Sequence, residues 1–167
     1  KIFKKRIDYV MSSISGLEGL IPTLEIIRYT KKIAIANKES IICGWNLISK
    51  QLKYYKTNFI PIDSEHFSIN ELIKNSNNKD IEKIYITASG GPFLNRKLSN
   101  FKSINVQNAI KHPNWNMGKK ISIDSATLIN KVYELIEAKK IFDEMYSHKK
   151  DIVVSENWRE GTIWQKR

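Results

Sequence analysis

Two acidic side chains stand two positions apart at Asp63 and Glu65, directly after the apolar run 59–62. If the backbone stays extended there, both carboxylates point to the same side of the chain. Neighbouring carboxylates repel each other unless a cation lies between them, and hard divalent ions prefer oxygen ligands. The pattern indicates either a solvated turn or part of a metal site, and the spacing alone leaves both open.

A second set of polar side chains lies on a predicted helix that begins near Ser125. At about 100° per residue, such a helix separates an apolar face from a polar one. The apolar positions are Leu128, Val132, Leu135 and Ile136; the polar positions are Asn130, Glu134 and Glu137, with Lys131 beside them. A polar face normally meets solvent, but an amide, an ammonium group and a carboxylate within one turn would equally suit an anionic, metal-bound ligand.

Three further segments carry groups that could bind a ligand. Ser89-Gly90-Gly91 can expose backbone N–H groups and a hydroxyl to an anion, although paired glycines more often mark an ordinary turn. The loop 111–120 contains His112 and Trp115, and loops often expose such groups for function, although Trp115 would also serve as a core anchor. Asn37-Lys38-Glu39 follows a predicted strand, and open α/β sheets bind ligands at the carboxyl ends of their strands.

These groups must be positioned by the alternating strands and helices of the first sixty residues. The apolar run 32–36 predicts a buried strand, a helix follows from about Glu39 to Tyr54, and 58–62 predicts a second strand. Pro61 places that second strand at a sheet edge or a strand end. Because a strand, a helix and a strand follow in order, we expect a parallel sheet.

After Pro61 the chain becomes more polar and richer in predicted loops, and we place a domain boundary there. A polar helical stretch leads to a predicted strand at 83–87, and a region rich in loops extends to Lys119. We predict one more strand at 120–123, followed by a long helix from about Ser125 to Phe142.

The composition is that of a globular protein with a strong positive charge. Of the 167 residues, 41% are hydrophobic, and no apolar run approaches the roughly 20 residues that cross a bilayer. The net charge of +11 favours anionic partners, but the lysines are spread over nearly every segment, so solubility explains them as well. Cys43 is the single cysteine, which excludes an internal disulfide and suits a reducing cytoplasm.

Five motifs, taken in order, resemble the successive signatures of the 1-deoxy-D-xylulose 5-phosphate reductoisomerase family. They are Ala36-Asn37-Lys38-Glu39-Ser40, Pro61-Ile62-Asp63-Ser64-Glu65-His66, Ser89-Gly90-Gly91-Pro92-Phe93, His112-Pro113-Asn114-Trp115 and the run from Met117 to Thr127, which Asn130-Lys131 and Glu134 complete. The resemblance extends from about Tyr9 to Val154.

The resemblance implies an α/β fold in a partial chain. Residues 1–61 would be the C-terminal part of a Rossmann-like NADPH domain, 62–154 an α+β catalytic domain, and 155–167 an unmatched tail. Members of the family convert 1-deoxy-D-xylulose 5-phosphate to 2-C-methyl-D-erythritol 4-phosphate in non-mevalonate isoprenoid biosynthesis. The implied protein is a cytoplasmic bacterial enzyme that binds a small phosphorylated sugar but neither nucleic acid nor membrane, and that forms a homodimer when full length.

The resemblance also implies roles for individual residues. Asp63, Glu65 and Glu134 would ligate Mg²⁺ or Mn²⁺, which acts as Lewis acid and template. The substrate phosphate would be held by Ser89, Ser125, Asn130 and Lys131. The rest of the substrate would be contacted by Lys38, Ser64, His112 and Glu134, and the catalytic set would be Lys38, Glu65, His112 and Glu134. NADPH would contact Asn37, Glu39 and Gly118, and the flexible lid would contain Trp115 and Met117.

The chain also departs from the family pattern. Val132-Tyr133 stand where the family usually has a glycine before the metal-binding glutamate, although the spacing to Glu134 is kept. The Gly-rich turn that opens the Rossmann domain and the C-terminal helical domain are missing, so we expect the chain alone to be inactive. Two alternatives stay open: a non-catalytic remnant of this fold, and a basic nucleic-acid-binding module, which would need aromatic side chains among its lysines on one face.

Overall fold

A computed structural model of the chain describes residues 4–76, 81–88, 91–113, 116–145, 151–155 and 163–165. The strands are β1 (Ile7–Ser12), β2 (Thr30–Ile35), β3 (Asn58–Pro61), β4 (Ile81–Thr87), β5 (Asp151–Ser155) and β6 (Ile163–Gln165). The helices are α1 (Leu20–Ile27), α2 (Lys38–Tyr55), α3 (Ser64–Lys74), α4 (Val106–Ala109), α5 (Lys119–Ala126) and α6 (Ile129–Met145), with short 3-10 turns at Leu17–Gly19 and Leu98–Ser103. Within these ranges, no helix is both long and apolar enough to cross a membrane.

The first sheet has the order β1-β2-β3, and both pairs of strands are parallel. Ile33 in the central strand lies opposite Val10 on one side and Phe59 on the other. The predicted strand–helix–strand order and the parallel sheet are therefore confirmed, and β3 with Pro61 does lie at an edge of this described sheet. Strand β1 was not predicted from the sequence, and its outward-facing Tyr9 and Met11 are exposed.

One apolar core joins the strands to the helices that pack on them. Its fully buried side chains include Ile33 on β2, Ile48 on α2, Ile69 on α3, Ile84 on β4 and Phe142 on α6. Burying each such side chain contributes roughly 1.5–3 kcal/mol, so the core is the main force that brings α2, α3 and α6 together.

The second sheet has the order β5-β4-β6. The predicted strand at 83–87 is confirmed as part of β4, which pairs with β5 in parallel and with β6 antiparallel. Ile163–Gln165 belongs to the tail that the family resemblance left unmatched, and it nevertheless forms one of the two neighbours of β4.

The strand predicted at 120–123 is wrong, because these residues form part of helix α5. Its alternation of polar and apolar side chains suggested an extended segment, yet Ser122 is buried and its hydroxyl donates to the carbonyl of Gly118 at 3.0 Å. Lys120 and Asp124 form an ion pair at 2.8 Å across one helical turn, as residues four positions apart on a helix can.

The helix predicted from Ser125 to Phe142 is interrupted in the structure. Helix α5 ends at Ala126, Leu128 has a φ of 61°, and α6 begins at Ile129. The left-handed conformation at Leu128 breaks the helix there, because backbone in that region turns with the opposite hand and cannot continue the hydrogen bonds of a right-handed helix.

The polar face of α6, for which the sequence left both solvent and a ligand open, carries the two most buried carboxylates among the described residues of the helix. Leu128, Val132 and Ile136 are exposed, whereas Glu134 and Glu137 are only 2% and 1% exposed. The carboxylate face turns inward toward Lys38 on α2 and His66 on α3, which the spacing of apolar residues could not reveal. Val132 lies on the exposed face of α6.

Candidate metal and substrate site

Helix α3 begins directly after β3 and presents two carboxylates at its N-terminus. Asp63 is the N-cap residue and Glu65 lies in the first turn, where acidic side chains interact favourably with the helix dipole. The expectation that Asp63 and Glu65 sit on extended backbone is wrong, because the helix starts at Ser64 and the N–H of Phe67 donates to the carbonyl of Asp63 at 2.8 Å. A helical start brings the two side chains together by a different geometry.

Glu134 on α6 completes a group of three carboxylates. One oxygen from each of Asp63, Glu65 and Glu134 lies within 4.8 Å of the other two, and we call this group the carboxylate trio. Glu134 is buried and the other two are half-buried. The hydroxyl of Ser64 donates to Glu65 Oε2 at 2.7 Å and fixes the direction of that carboxylate.

Two lysines lie against the carboxylate trio. Lys38 Nζ is 2.9 Å from Asp63 Oδ2 and 3.5 Å from Glu134 Oε1. Lys131 Nζ is 2.9 Å from Glu65 Oε1 and 2.5 Å from Glu134 Oε2. Each ammonium group therefore bridges one carboxylate of α3's N-terminus to the carboxylate of α6.

Asn130 extends this network by one hydrogen bond on each side of its amide. Its Nδ2 donates to Glu134 Oε1 at 2.5 Å, and its Oδ1 accepts from Lys38 Nζ at 3.0 Å. Because Asn130 and Glu134 are four residues apart on α6, the amide fixes the rotamer of the buried carboxylate.

The charges of the network shift the acidity of its members. Burial acts to raise the pKa of Glu65, but its hydrogen bond with Asp63 and the charge of Lys131 outweigh this and lower the pKa to about 2. Burial, together with the charge of Glu65, raises the pKa of Glu134. Burial acts to lower the pKa of both lysines, but the neighbouring carboxylates have the larger combined effect. Asp63 raises the pKa of Lys38, and Glu134 raises the pKa of Lys131. Both lysines are therefore cations at neutral pH.

The carboxylate trio fits a hard divalent ion. Three carboxylates from two elements supply only oxygen ligands, which Mg²⁺ and Mn²⁺ prefer. Asp63 Oδ1 is buried and accepts no hydrogen bond from any residue in the described ranges. A carboxylate oxygen in that position is available for a cation.

The residues expected to hold a phosphate divide into two places. A Cβ on Gly91, whose φ is 62°, would come within 2.8 Å of the carbonyl oxygen of Ser125, so the turn at Gly91 packs directly against the end of α5. Ser89, two residues before it, lies outside the described residues. Asn130 and Lys131 contact the carboxylate trio instead, as described above.

The residues expected to contact NADPH lie near the N-termini of α2 and α5. Asn37 caps α2: its Oδ1 accepts from the N–H of Ser40 at 2.7 Å, and its Nδ2 donates to the carbonyls of Ile14 and Gly16. Its buried amide thus holds the loop before α1 against the start of α2. Glu39 Oε1 is 3.9 Å from Lys120 Nζ on α5.

Gly118 and His112 belong to the loop that leads into α5. Gly118 caps α5, and no described atom lies within 4 Å of the position a Cβ would take there. His112 is half-buried in the loop between α4 and α5, and burial lowers its pKa. Met117 is half-buried, and Trp115 falls outside the described residues.

The sequence assigned no role to His66, and it left solvent and a ligand open for the polar face that carries Glu137. His66 is buried, its Nε2 lies 2.9 Å from the backbone carbonyl oxygen of Glu134, and its Nδ1 lies 3.7 Å from Asp63 Oδ1. Glu137 is buried one turn after Glu134, and burial raises its pKa to about 8. The three-residue spacing from Asp63 to His66 would have placed both on one helical face, had the helix start been recognised.

These residues line one open cleft at the carboxyl ends of β2 and β3. Lys38, Asp63, His66 and Glu137 form its polar side, and Ile35, Ile41, Ile62 and Ile141 form its apolar side. A cleft at this end of a parallel sheet is the usual position for a ligand in an α/β protein.

Comparison with known proteins gives matches across most of the chain. The family model described as the 1-deoxy-D-xylulose 5-phosphate reductoisomerase C-terminal domain matches residues 59–142, and the one described as 1-deoxy-D-xylulose 5-phosphate reductoisomerase matches residues 1–44. The reductoisomerase of Pelagibacter ubique is 66% identical over 148 residues, which are 87% of this chain and 38% of that relative. The reductoisomerase of Clostridium kluyveri is 46% identical over 151 residues, which are 90% of this chain and 39% of that relative.

Solved structures of reductoisomerases also align with this chain. A DOX-P reductoisomerase in complex with NADPH, fosmidomycin and magnesium aligns with a TM-score of 0.77 and 35% identity, covering 98% of this chain and 44% of that one. The enzyme from Zymomonas mobilis in complex with NADPH aligns with a TM-score of 0.74 and 34% identity, covering 95% of this chain and 42% of that one. The chain thus spans about two fifths of the length of the curated relatives it matches.

Proposed function

The chain belongs to the 1-deoxy-D-xylulose 5-phosphate reductoisomerase family, and we propose that it is the metal- and substrate-binding part of an enzyme with that activity. The whole enzyme converts 1-deoxy-D-xylulose 5-phosphate to 2-C-methyl-D-erythritol 4-phosphate with NADPH and a divalent metal. The observation that supports the proposal most is the carboxylate trio, in which α3 and α6 bring three oxygen ligands to one point, and Asp63 of this trio lines the cleft.

In this proposal Asp63, Glu65 and Glu134 hold Mg²⁺ or Mn²⁺. When bound, the ion supplies Lewis-acid polarisation of substrate oxygens. The chain's own groups orient the ligands around it: the Ser64 hydroxyl fixes Glu65, and the amide of Asn130 fixes Glu134. Such partners keep the carboxylates in one geometry and so lower the cost of organising the site on binding.

The substrate binds between the two lysines and the loop before α5. Lys38 and Lys131 are cations with buried stems, and they supply positive charge on opposite sides of the trio. The phosphate is held by Lys131 and Asn130 together with Ser125 and Ser89, a mixture of one charge and several neutral donors that suits a phosphate dianion. His112 and Ser64 contact the sugar backbone.

NADPH approaches from the side of α2 and α5. The solved structures that resemble this chain include complexes with NADPH. Asn37 acts through the backbone it holds, because its side-chain amide is already used by protein groups, whereas Glu39 and Gly118 contact the cofactor themselves. The open space beside Gly118 supports a close approach there. The full-length protein is a homodimer in this proposal.

The rival readings predict different behaviour. A non-catalytic remnant of the fold would bind metal weakly or not at all. A nucleic-acid-binding module would pair its lysines with backbone phosphates. Lys38 and Lys131 are instead paired with carboxylates, and these negative charges disfavour a nucleic-acid backbone at this cleft.

Calorimetric titration with Mn²⁺ tests the proposal. The parent chain should bind one ion, and Glu134→Gln should weaken that binding about tenfold or more, because it removes an anionic ligand. Glu25→Gln, which changes an exposed carboxylate on α1 paired with Arg28, is the matched control and should leave the affinity unchanged. An unaltered affinity in Glu134→Gln would contradict the proposed metal site.

A further inference from the structure

We infer that Asp63, His66 and Glu137 form a second divalent-ion site, suited to Zn²⁺ or Co²⁺, which shares Asp63 with the carboxylate trio and competes with it. We call this group the histidine trio. The inference goes beyond the proposed function, which uses neither His66 nor Glu137 as a ligand.

The geometry of the histidine trio is that of a small, buried ligand set. One atom from each of Asp63, His66 and Glu137 lies within 4.8 Å of the other two. His66 and Glu137 are each 1% exposed, and all three side chains line the same cleft. The cleft leaves the outer side of the site open for an ion and its remaining water ligands.

The hydrogen bond of the other ring nitrogen leaves Nδ1 of His66 free to act as a ligand. Its Nε2 lies 2.9 Å from the backbone carbonyl oxygen of Glu134, which can only accept, so Nε2 carries the proton. In the neutral ring, Nδ1 then has a lone pair, and it lies 3.7 Å from Asp63 Oδ1. An imidazole that donates from one nitrogen to a carbonyl while the other faces carboxylates is the usual arrangement of a metal-binding histidine.

An independent observation is that one oxygen of the Glu137 carboxylate has no hydrogen-bond partner among the described residues. Its Oε2 is buried and accepts no hydrogen bond from any group in the described parts of the chain. The same holds for Asp63 Oδ1. Neither buried oxygen has a hydrogen-bond partner in the described parts of the chain, which is costly for a polar group, and a cation shared with the imidazole would offset that cost.

The charge around the cleft suits one divalent ion rather than two. When ionised, Asp63, Glu65, Glu134 and Glu137 carry four negative charges, and Lys38 and Lys131 carry two positive charges, which leaves two negative charges. Since both trios use Asp63, occupation of one site should weaken the other. Ligand type then separates them: three oxygens suit Mg²⁺, whereas a nitrogen with two oxygens suits Zn²⁺ and Co²⁺.

Calorimetry with Zn²⁺ and Mg²⁺ on variants of the chain tests the inference. Glu137→Gln should weaken Zn²⁺ binding about tenfold or more and leave Mg²⁺ binding within about twofold, because it removes a ligand of the histidine trio alone. Glu65→Gln should do the reverse. Glu71→Gln, an exposed carboxylate on α3 paired with Lys74, is the control and should change neither affinity. Equal losses for both ions in Glu137→Gln, or no loss of Zn²⁺ affinity, would overturn the inference.

Two measurements keep the inference testable if a variant fails to fold. In a His112→Gln, His148→Gln background, X-ray absorption of the Zn²⁺-loaded chain should show one imidazole ligand, and a shell of oxygens alone would refute the site. Saturating Mg²⁺ should raise the apparent Kd for Zn²⁺, and an unchanged Kd would refute the sharing of Asp63. Failure of the chain to bind Mg²⁺ at the carboxylate trio would count against the proposed function and not against the imidazole signal of Zn²⁺.

Discussion

Lys38 Nζ lies 2.9 Å from Asp63 Oδ2, and this ion pair joins the N-terminus of α2 to that of α3. The two helices start directly after β2 and β3, which are parallel neighbours, so their first residues meet at the same edge of the sheet. Parallel pairing of two strands thus places a cation from one strand–helix junction against a carboxylate from the next.

Removal of the Lys38 charge should destabilise the metal-free chain. In Lys38→Met, Asp63 and the buried Glu134 lose a shared cation, and we expect the free energy of unfolding to fall by about 1–3 kcal/mol in the presence of a chelator. Urea denaturation followed by circular dichroism measures this. Lys31→Met removes a solvent-exposed pair with Asp8 and should change the free energy of unfolding little. Equal losses in the two variants would contradict the role assigned to Lys38.

Lys131 should affect the substrate more than the cofactor. In the full-length enzyme, Lys131→Ala removes a half-buried charge beside the proposed phosphate site, so the KM for 1-deoxy-D-xylulose 5-phosphate should rise about tenfold or more while the KM for NADPH changes little. Lys139→Ala, which removes an exposed lysine paired with Asp143 on the same helix, serves as the control. A rise confined to the KM for NADPH would assign Lys131 to the cofactor instead.

Glu137 should make the stability of the metal-free chain depend on pH. Burial raises the pKa of Glu137 from 4.5 to about 8, so the folded chain holds this proton more tightly than the unfolded chain does. Its contribution to stability is therefore fully present below pH 4.5 and is lost as the pH rises through about 8. Glu137→Gln cannot titrate, and in chelator its free energy of unfolding should decline less over this window than that of the parent chain. Parallel pH profiles for the two proteins would show that Glu137 does not titrate there.

The chain by itself should have negligible reductoisomerase activity. Hydride transfer needs the nicotinamide held against the substrate, and positioning supplies much of the rate. The chain spans only about two fifths of the length of its relatives. Oxidation of NADPH can be followed by absorbance with Mn²⁺ and the substrate present. A turnover of a few per second or more would contradict this expectation.

The sequence predicted the elements whose signal is local and failed where the surroundings decide. The strand–helix–strand order of β2, α2 and β3 follows from apolar runs and helical spacing, which the chain carries within each segment. The same rules misread α5, because the alternation around Ser122 fits a strand as well as a helix. They also could not decide the environment of the polar face of α6, because Lys38 and His66, which lie against it, belong to other elements.

The candidate site was likewise predictable in its ligands but not in the contacts made by the surrounding residues. The three carboxylates of the trio could be named from a family resemblance, but the partners that hold them could not. Lys38 reaches Asn130 across 92 positions of sequence, and Lys131 reaches Glu65 across 66. Such contacts exist only after the core has packed α2, α3 and α6 together, so the spacing of residues along the chain cannot predict them.

The two lysines on the carboxylate trio make metal binding an exchange of counterions. A divalent ion that enters the trio takes over the carboxylates that now neutralise Lys38 and Lys131, and both ammonium groups are released with their charge uncompensated. The freed charge then attracts an anion more strongly than it did before. Metal and phosphorylated substrate should therefore bind with positive cooperativity, and by linkage each should tighten the other by the same factor.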